Sequence, residues 1–123
     1  MISDGQEKSQ NMNDINFKEK LRNTCQKIGE IGSKYAEARA LSYLLQEQRK
    51  CVLSAEMEKL ADGSMADKEM RARCSKVYYE HFVATSKAIR QELSYRAELD
   101  KHQAVFEALR SLISFEKRKI NIL

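Results

Sequence analysis

The sequence predicts an all-α protein: an antiparallel hairpin of two long helices plus a short N-terminal helix, assembling into a homo-oligomer. Three observations carry this. The 123 residues contain no proline and only four glycines, so almost nothing interrupts a helix. Charged residues make up 33% of the chain, alongside abundant Ala, Leu and Gln, the mixture that long solvated helices need. Apolar residues then recur at steps of three and four along most of the chain, which is the helical period.

Each element rests on local signals. Residues 1–13 are polar and low in hydrophobicity, and are expected to form a disordered tail ahead of a helical hairpin domain over 14–123. Asn13 or Asp14 is placed to cap a first helix, whose stripe is Ile15, Phe17, Leu21, Cys25 and Ile28. Gly29 and Gly32 mark either a break or a weak joint, and Ser33 is a plausible cap for the next helix. That second helix is expected from about Lys34 to Leu60, with a seam of Ala38, Leu41, Leu45, Gln48, Val52 and Ala55. Tyr35, Leu44, Cys51 and Met57 widen that stripe beyond one neighbour's needs.

Ala61-Asp62-Gly63-Ser64 is the one strong turn. Gly63 suits the left-handed backbone that ends a helix, and Ser64 suits a cap, with Asp67 at the acidic position of a capping box. Met65–Cys74 reads as a short turn of helix, with Ser75 capping a restart. From Lys76 to about Lys119 nothing breaks the helix. A helix of about 27 residues is roughly 40 Å long and one of some 40 residues roughly 60 Å, so the second cannot fully cover the third. The uncovered apolar residues imply self-association. Tyr78, Phe82, Phe106, Leu109 and Ile113 are the candidates for the oligomer interface.

The same composition excludes several functions. Cys25, Cys51 and Cys74 are odd in number, widely spaced and without a C-x-x-C, so they form neither a disulfide framework nor a zinc site and read as buried free thiols. Met1–Gln10 carry no apolar signal region, and no stretch approaches a membrane span, so a cytoplasmic chain is expected, with no membrane partner. There is no phosphate loop, no H-E-x-x-H and no G-x-S-x-G. His81 and His102 lie some six turns apart on one predicted helix and read as lone surface histidines. No constellation supports an enzyme, a cofactor or a small-molecule substrate.

The basic residues point elsewhere. Residues 1–62 carry ten basic and ten acidic groups, whereas residues 63–123 carry twelve and eight. Arg49 and Lys50 stand together on the second helix, and Lys68, Arg71, Arg73 and Lys76 cluster at the turn. Such groups release counterions when they neutralise phosphates, and Tyr78, Tyr79 and Phe82 lie nearby in sequence to stack on bases. A solvated helix face and core aromatics are the alternative reading.

From Tyr35 onward the chain resembles small helical phage proteins of the UvsY family, the recombination mediators of T-even phages. The resemblance rests on Tyr35-Ala36-Glu37-Ala38-Arg39-Ala40, on Gln48 to Met57, on Ser64, Glu69 and Ala72 with the Tyr78-Tyr79 region, and on Phe106-Glu107-Ala108-Leu109-Arg110-Ser111-Leu112. It covers about two-thirds of the chain. It implies a homo-oligomer that binds single-stranded DNA, helps displace the single-strand-binding protein and loads a strand-exchange recombinase, in a bacterial host cell. It also places the family's DNA-contacting stretch on Leu53 to Met57, where Ser54 and Glu56 depart from the basic residues expected. That leaves Arg49, Lys50, Lys68, Arg71, Arg73 and Lys76 as the DNA-binding candidates. The alternative is a helical adaptor or scaffold acting through protein contacts only.

Overall fold

The structure, a computed structural model, describes the backbone of residues 3–122 and the side chains of residues 16–120. It is all-helical. Helix α1 spans Ser3–Glu58, α2 Met65–Arg73 and α3 Lys76–Ile122. The chain divides into two units, one of Met1–Ser33 with Ala97–Leu123 and one of Lys34–Arg96. Of the expected tail over residues 1–13, residues 1–2 lie outside the described residues and the backbone of 3–13 is part of α1.

The connection between the long helices obeys its sequence signals. Gly63 has φ 112°, a left-handed backbone that an L side chain rarely adopts. Ser64 is extended, and its hydroxyl accepts from the Asp67 N–H at 3.2 Å. Ser75 restarts the chain as α3, its hydroxyl accepting from the Tyr78 N–H at 3.2 Å.

Two expectations are corrected. The short helix is not N-terminal: α1 passes through Gly29 and Gly32 without a break, and the short helix is α2, inside the connection. Neither glycine has a neighbour within 4 Å of where a Cβ would stand, so both face open space. Ile28 and Ile31, half-buried beside them, hold the helix against its partner and offset a propensity cost of about 1 kcal/mol per glycine. The expected helix lengths are also corrected, because α1 has 56 residues and α3 has 47, so the helix before the turn is the longer one. Replacing Gly29 and Gly32 by alanine is therefore expected to stabilise the protein by about 1 kcal/mol per site, read as a raised thermal midpoint by circular dichroism. A lowered midpoint would refute the open-face reading.

Burial on both long helices keeps a 3.5-residue repeat. On α1 the inward positions include Thr24, Ile28, Ile31, Tyr35, Ala38, Ser42, Leu45, Val52 and Glu56, at alternating steps of four and three, with exposed Arg49 filling its place in the series. On α3 they run from Tyr78, His81, Thr85 and Ala88 through Tyr95, Leu99, Phe106 and Leu109 to Glu116, at the same steps. This is the period of a left-handed coiled coil. Pairing is antiparallel within each unit. In Lys34–Arg96, Arg49 meets Tyr78, while Ala38 and Leu41 share a groove with Gln91 and Tyr95. In the other unit, Cys25 and Ile28 share a groove with Gln103 and Phe106.

The seam on α1 differs from the expected one at alternate positions. Ser42 and Glu56 are buried, and exposed Arg49 takes the same series, where Leu41, Ala55 and Gln48 were expected. Each polar side chain has a partner, which is what permits its place there. The Ser42 hydroxyl accepts from Gln46 Nε2 at 2.9 Å, Arg49 Nε donates to the Tyr78 hydroxyl at 3.2 Å, and Glu56 pairs with Lys59 at 2.7 Å. Small residues dominate the buried set, with Ala38, Ser42 and Ala88 in the unit Lys34–Arg96, and small side chains on a seam permit close approach of two helices. The same register brings two smaller corrections. All three cysteines are exposed rather than buried, with Cys25 and Cys51 one step off the inner series. Both histidines are half-buried on the inner series rather than on the surface.

Candidate nucleic-acid interface

In the unit Lys34–Arg96, each long helix carries a second stripe with the same three–four spacing, and the two stripes differ in chemistry. On α3 the stripe is Tyr79, Phe82, Ser86, Ile89 and Leu93. A groove beside it is lined by Gln46, Arg49, Tyr78, Phe82, Ser86 and Ile89, among others, which places this flank of α1 and this flank of α3 on one side of the seam. The α1 residues that share the flank of Gln46 at three–four spacing are Arg39, Tyr43 and Lys50. Arg96 continues the α3 stripe one step beyond Leu93.

The resulting face is basic and aromatic. Tyr43, Tyr79 and Phe82 are 67%, 64% and 59% exposed, which no packing requirement of the two-helix unit explains. Arg39, Lys50 and Arg96 are exposed on the same two flanks, with exposed Arg49 in the adjoining groove. None of the positions on this flank of either helix, from Lys34 to Glu58 or from Lys76 to Arg96, is a carboxylate. Cations track a phosphate backbone, and exposed rings offer stacking platforms for unpaired bases. His81 lies under this groove with its Nε2 buried and without a hydrogen-bond partner.

The candidates from the sequence divide into two groups. Arg49 and Lys50 belong to this face. Arg71, Arg73 and Lys76 are instead paired at the turn. Arg71 donates to the Asp62 carbonyl at 3.2 Å and lies 3.7 Å from Asp67, Arg73 lies 2.8 Å from Glu69, and Lys76 lies 3.8 Å from Glu80. The hydrogen bond from Arg73 to Glu69, and then the Glu69 charge, raise the Arg73 pKa above the usual guanidinium value. Lys68 is half-buried, in a groove with Ser54, Met57, Glu58 and Met65. Exposed pairs of this kind contribute little stability, but they offset the local positive field. No hydrogen bond or ion pair among the described residues links the turn cluster to Arg49 or Lys50.

Of the candidate interface residues, Phe82 is exposed on the basic face. Tyr78 and Leu109 are buried within the chain, so neither is open to a second copy. Phe106 and Ile113 sit half-buried on the inner series of α3. Reading the sequence alone missed Arg39, Tyr43 and Arg96. The signal was present as a carboxylate-free helical flank, but it emerges only after the inner register is known.

Fold and surface together define an antiparallel two-helix coiled-coil protein with a basic aromatic flank. No protein-family model matches the chain, no curated protein matches it, and no solved structure matches it. Among the described residues there is no cluster suited to a metal ion, and no helix is long and apolar enough to cross a membrane.

Proposed function

We propose that this protein binds single-stranded DNA as an oligomer and acts as a phage-type recombination mediator, helping to load a strand-exchange recombinase. The observation that carries the DNA reading is the flank of Arg39, Tyr43, Lys50, Tyr79, Phe82 and Arg96, where exposed rings and cations share one side of the seam without a carboxylate. The sequence resemblance supplies the rest of the reading: the recombinase, the single-strand-binding protein and a bacterial cytoplasm as the setting. Glu56, which departs from the basic pattern of that family, is buried and paired with Lys59, so its charge is turned away from a strand.

Fluorescence anisotropy with a labelled oligonucleotide tests the proposal. Binding is expected at micromolar protein, with log affinity falling against log salt by about 0.7 for each phosphate neutralised. Absence of salt-sensitive binding would sink it. The second reading, a helical adaptor, draws on exposed Met65 and Met70 at the turn, since flexible thioether side chains suit protein partners.

A further inference from the structure

Resting on the strand-binding reading, we infer that the hollow between α1 and α3 beside Phe82 takes one unpaired base of the strand and hydrogen-bonds its edge through His81 and Arg49. The hollow lies wholly within the unit Lys34–Arg96. Short side chains leave room for it. Thr85 and Ser86 line it from α3, and Phe82, one turn before Ser86, is 59% exposed rather than folded into the space. Gln46 and Arg49 line it from α1, one helical turn apart.

Size and lining together describe the ligand. The volume is about 170 Å³, whereas a single water needs only about 10–15 Å³, so the space admits a much larger group. Phe82 and Ile89 supply an apolar wall. Polar atoms with capacity to spare stand beside it. His81 Nε2 is buried and has no hydrogen-bond partner. A buried polar atom left unpaired is rare, and calls for a partner that the chain itself does not supply. Arg49 commits only its Nε, to the Tyr78 hydroxyl, and Gln46 commits only its Nε2, to the Ser42 hydroxyl. No hydrogen bond or ion pair among the described residues engages the terminal nitrogens of Arg49 or the carbonyl oxygen of Gln46.

An unpaired base matches this mixture, with flat apolar faces and donors and acceptors at its rim. Exposed Lys50, next to Arg49 on a flank without carboxylates, suits the phosphate attached to that base. An apolar side chain from a protein partner would leave His81 Nε2 unpaired and the cations unused. Stacking on Phe82 alone accepts any base, whereas contact with the edge makes affinity depend on the groups that the base carries there.

Fluorescence anisotropy of the full chain tests this with two labelled strands of equal length, one bearing adenine throughout and one abasic with the same phosphates. The native chain is expected to prefer the adenine strand by about tenfold or more. His81→Phe keeps a ring and removes Nε2, and Ser86→Leu narrows the hollow. Each is expected to lower the preference by about fivefold, about the worth of one hydrogen bond, with the abasic affinity and the helical circular dichroism unchanged. A preference kept in both variants overturns the base site and leaves strand binding standing. Equal losses on both strands also overturn it, because a distorted coiled coil would weaken both alike. If the native chain binds neither strand, strand binding itself fails and the base site with it. One measurement needs no substitution: adenine dimethylated on its exocyclic amine keeps the stacking face and blocks the edge. That strand is expected to bind the native chain about fivefold more weakly than the adenine strand, and equal binding overturns the edge contact.

Discussion

Replacing Arg39, Lys50 and Arg96 together by alanine is expected to weaken binding to a single-stranded oligonucleotide by about 100-fold at low salt and to lower the slope of log affinity against log salt by about 2, near 0.7 per lost phosphate contact. The helical content should not change, because all three side chains are exposed and none takes part in an ion pair or hydrogen bond among the described residues. A matching triple at the turn, Lys68→Ala with Arg71→Ala and Arg73→Ala, should weaken binding far less, since Asp67 and Glu69 already hold two of those charges. If the two triples weaken binding equally, the basic aromatic face is not the strand's path. Tyr79→Ala and Phe82→Ala separate stacking from charge. Each is expected to cost about 1–3 kcal/mol of binding for a base it stacks, with the salt slope unchanged.

The second large effect falls on stability. Ser42 is only 1% exposed and sits where small side chains let the helices approach. Ser42→Leu forces the backbones apart and leaves Gln46 without its acceptor, at a cost of about 1–3 kcal/mol. For a chain of this size, each kcal/mol shifts the thermal midpoint by roughly 3–6 °C. Ser42→Ala keeps the volume and should cost no more than about 1 kcal/mol, the net worth of one hydrogen bond. Glu47→Ala, on the exposed side, should stay within about 0.5 kcal/mol. Urea denaturation monitored by circular dichroism measures all three. A stabilised Ser42→Leu would move the seam back to Leu41, the register that apolar content alone favours.

The two registers mark the limit of what the sequence discloses. Helical class, the turn at Gly63, the Ser64 and Ser75 caps and the separate short helix at Met65 all rest on local chemistry, and local chemistry is visible residue by residue. The inner register depends on what lies across the seam. Leu41 and Ala55 outrank Ser42 and Glu56 on hydrophobicity, and only the closeness of a second helix, with Gln46, Tyr78 and Lys59 as polar partners, reverses that order. The helix does not break at Gly29 and Gly32 for a related reason, because helix propensity is a weak local term and half-buried Ile28 and Ile31 outweigh it. For the candidate site, Arg49 and Lys50 were legible as neighbours in sequence. Arg39, Tyr43 and Arg96 were not, because they join them only through the flank of a correctly registered helix. The cysteines, placed inside by their usual preference, were turned outward by the same register.

The connection at Gly63 also bears on the order of assembly along the chain. Arg49 and Tyr78 are 29 residues apart in sequence, whereas Cys25 and Phe106 border one groove across a far longer stretch. Closing a loop costs more entropy as it lengthens, though only logarithmically. Pairing next to the turn is therefore the cheapest first contact, and each turn of helix docked there shortens the loop that the next must close. The chain is built to zip from Gly63 outward, with the polar pair of Arg49 and Tyr78 met early, where it checks the register before the more distant turns commit to it.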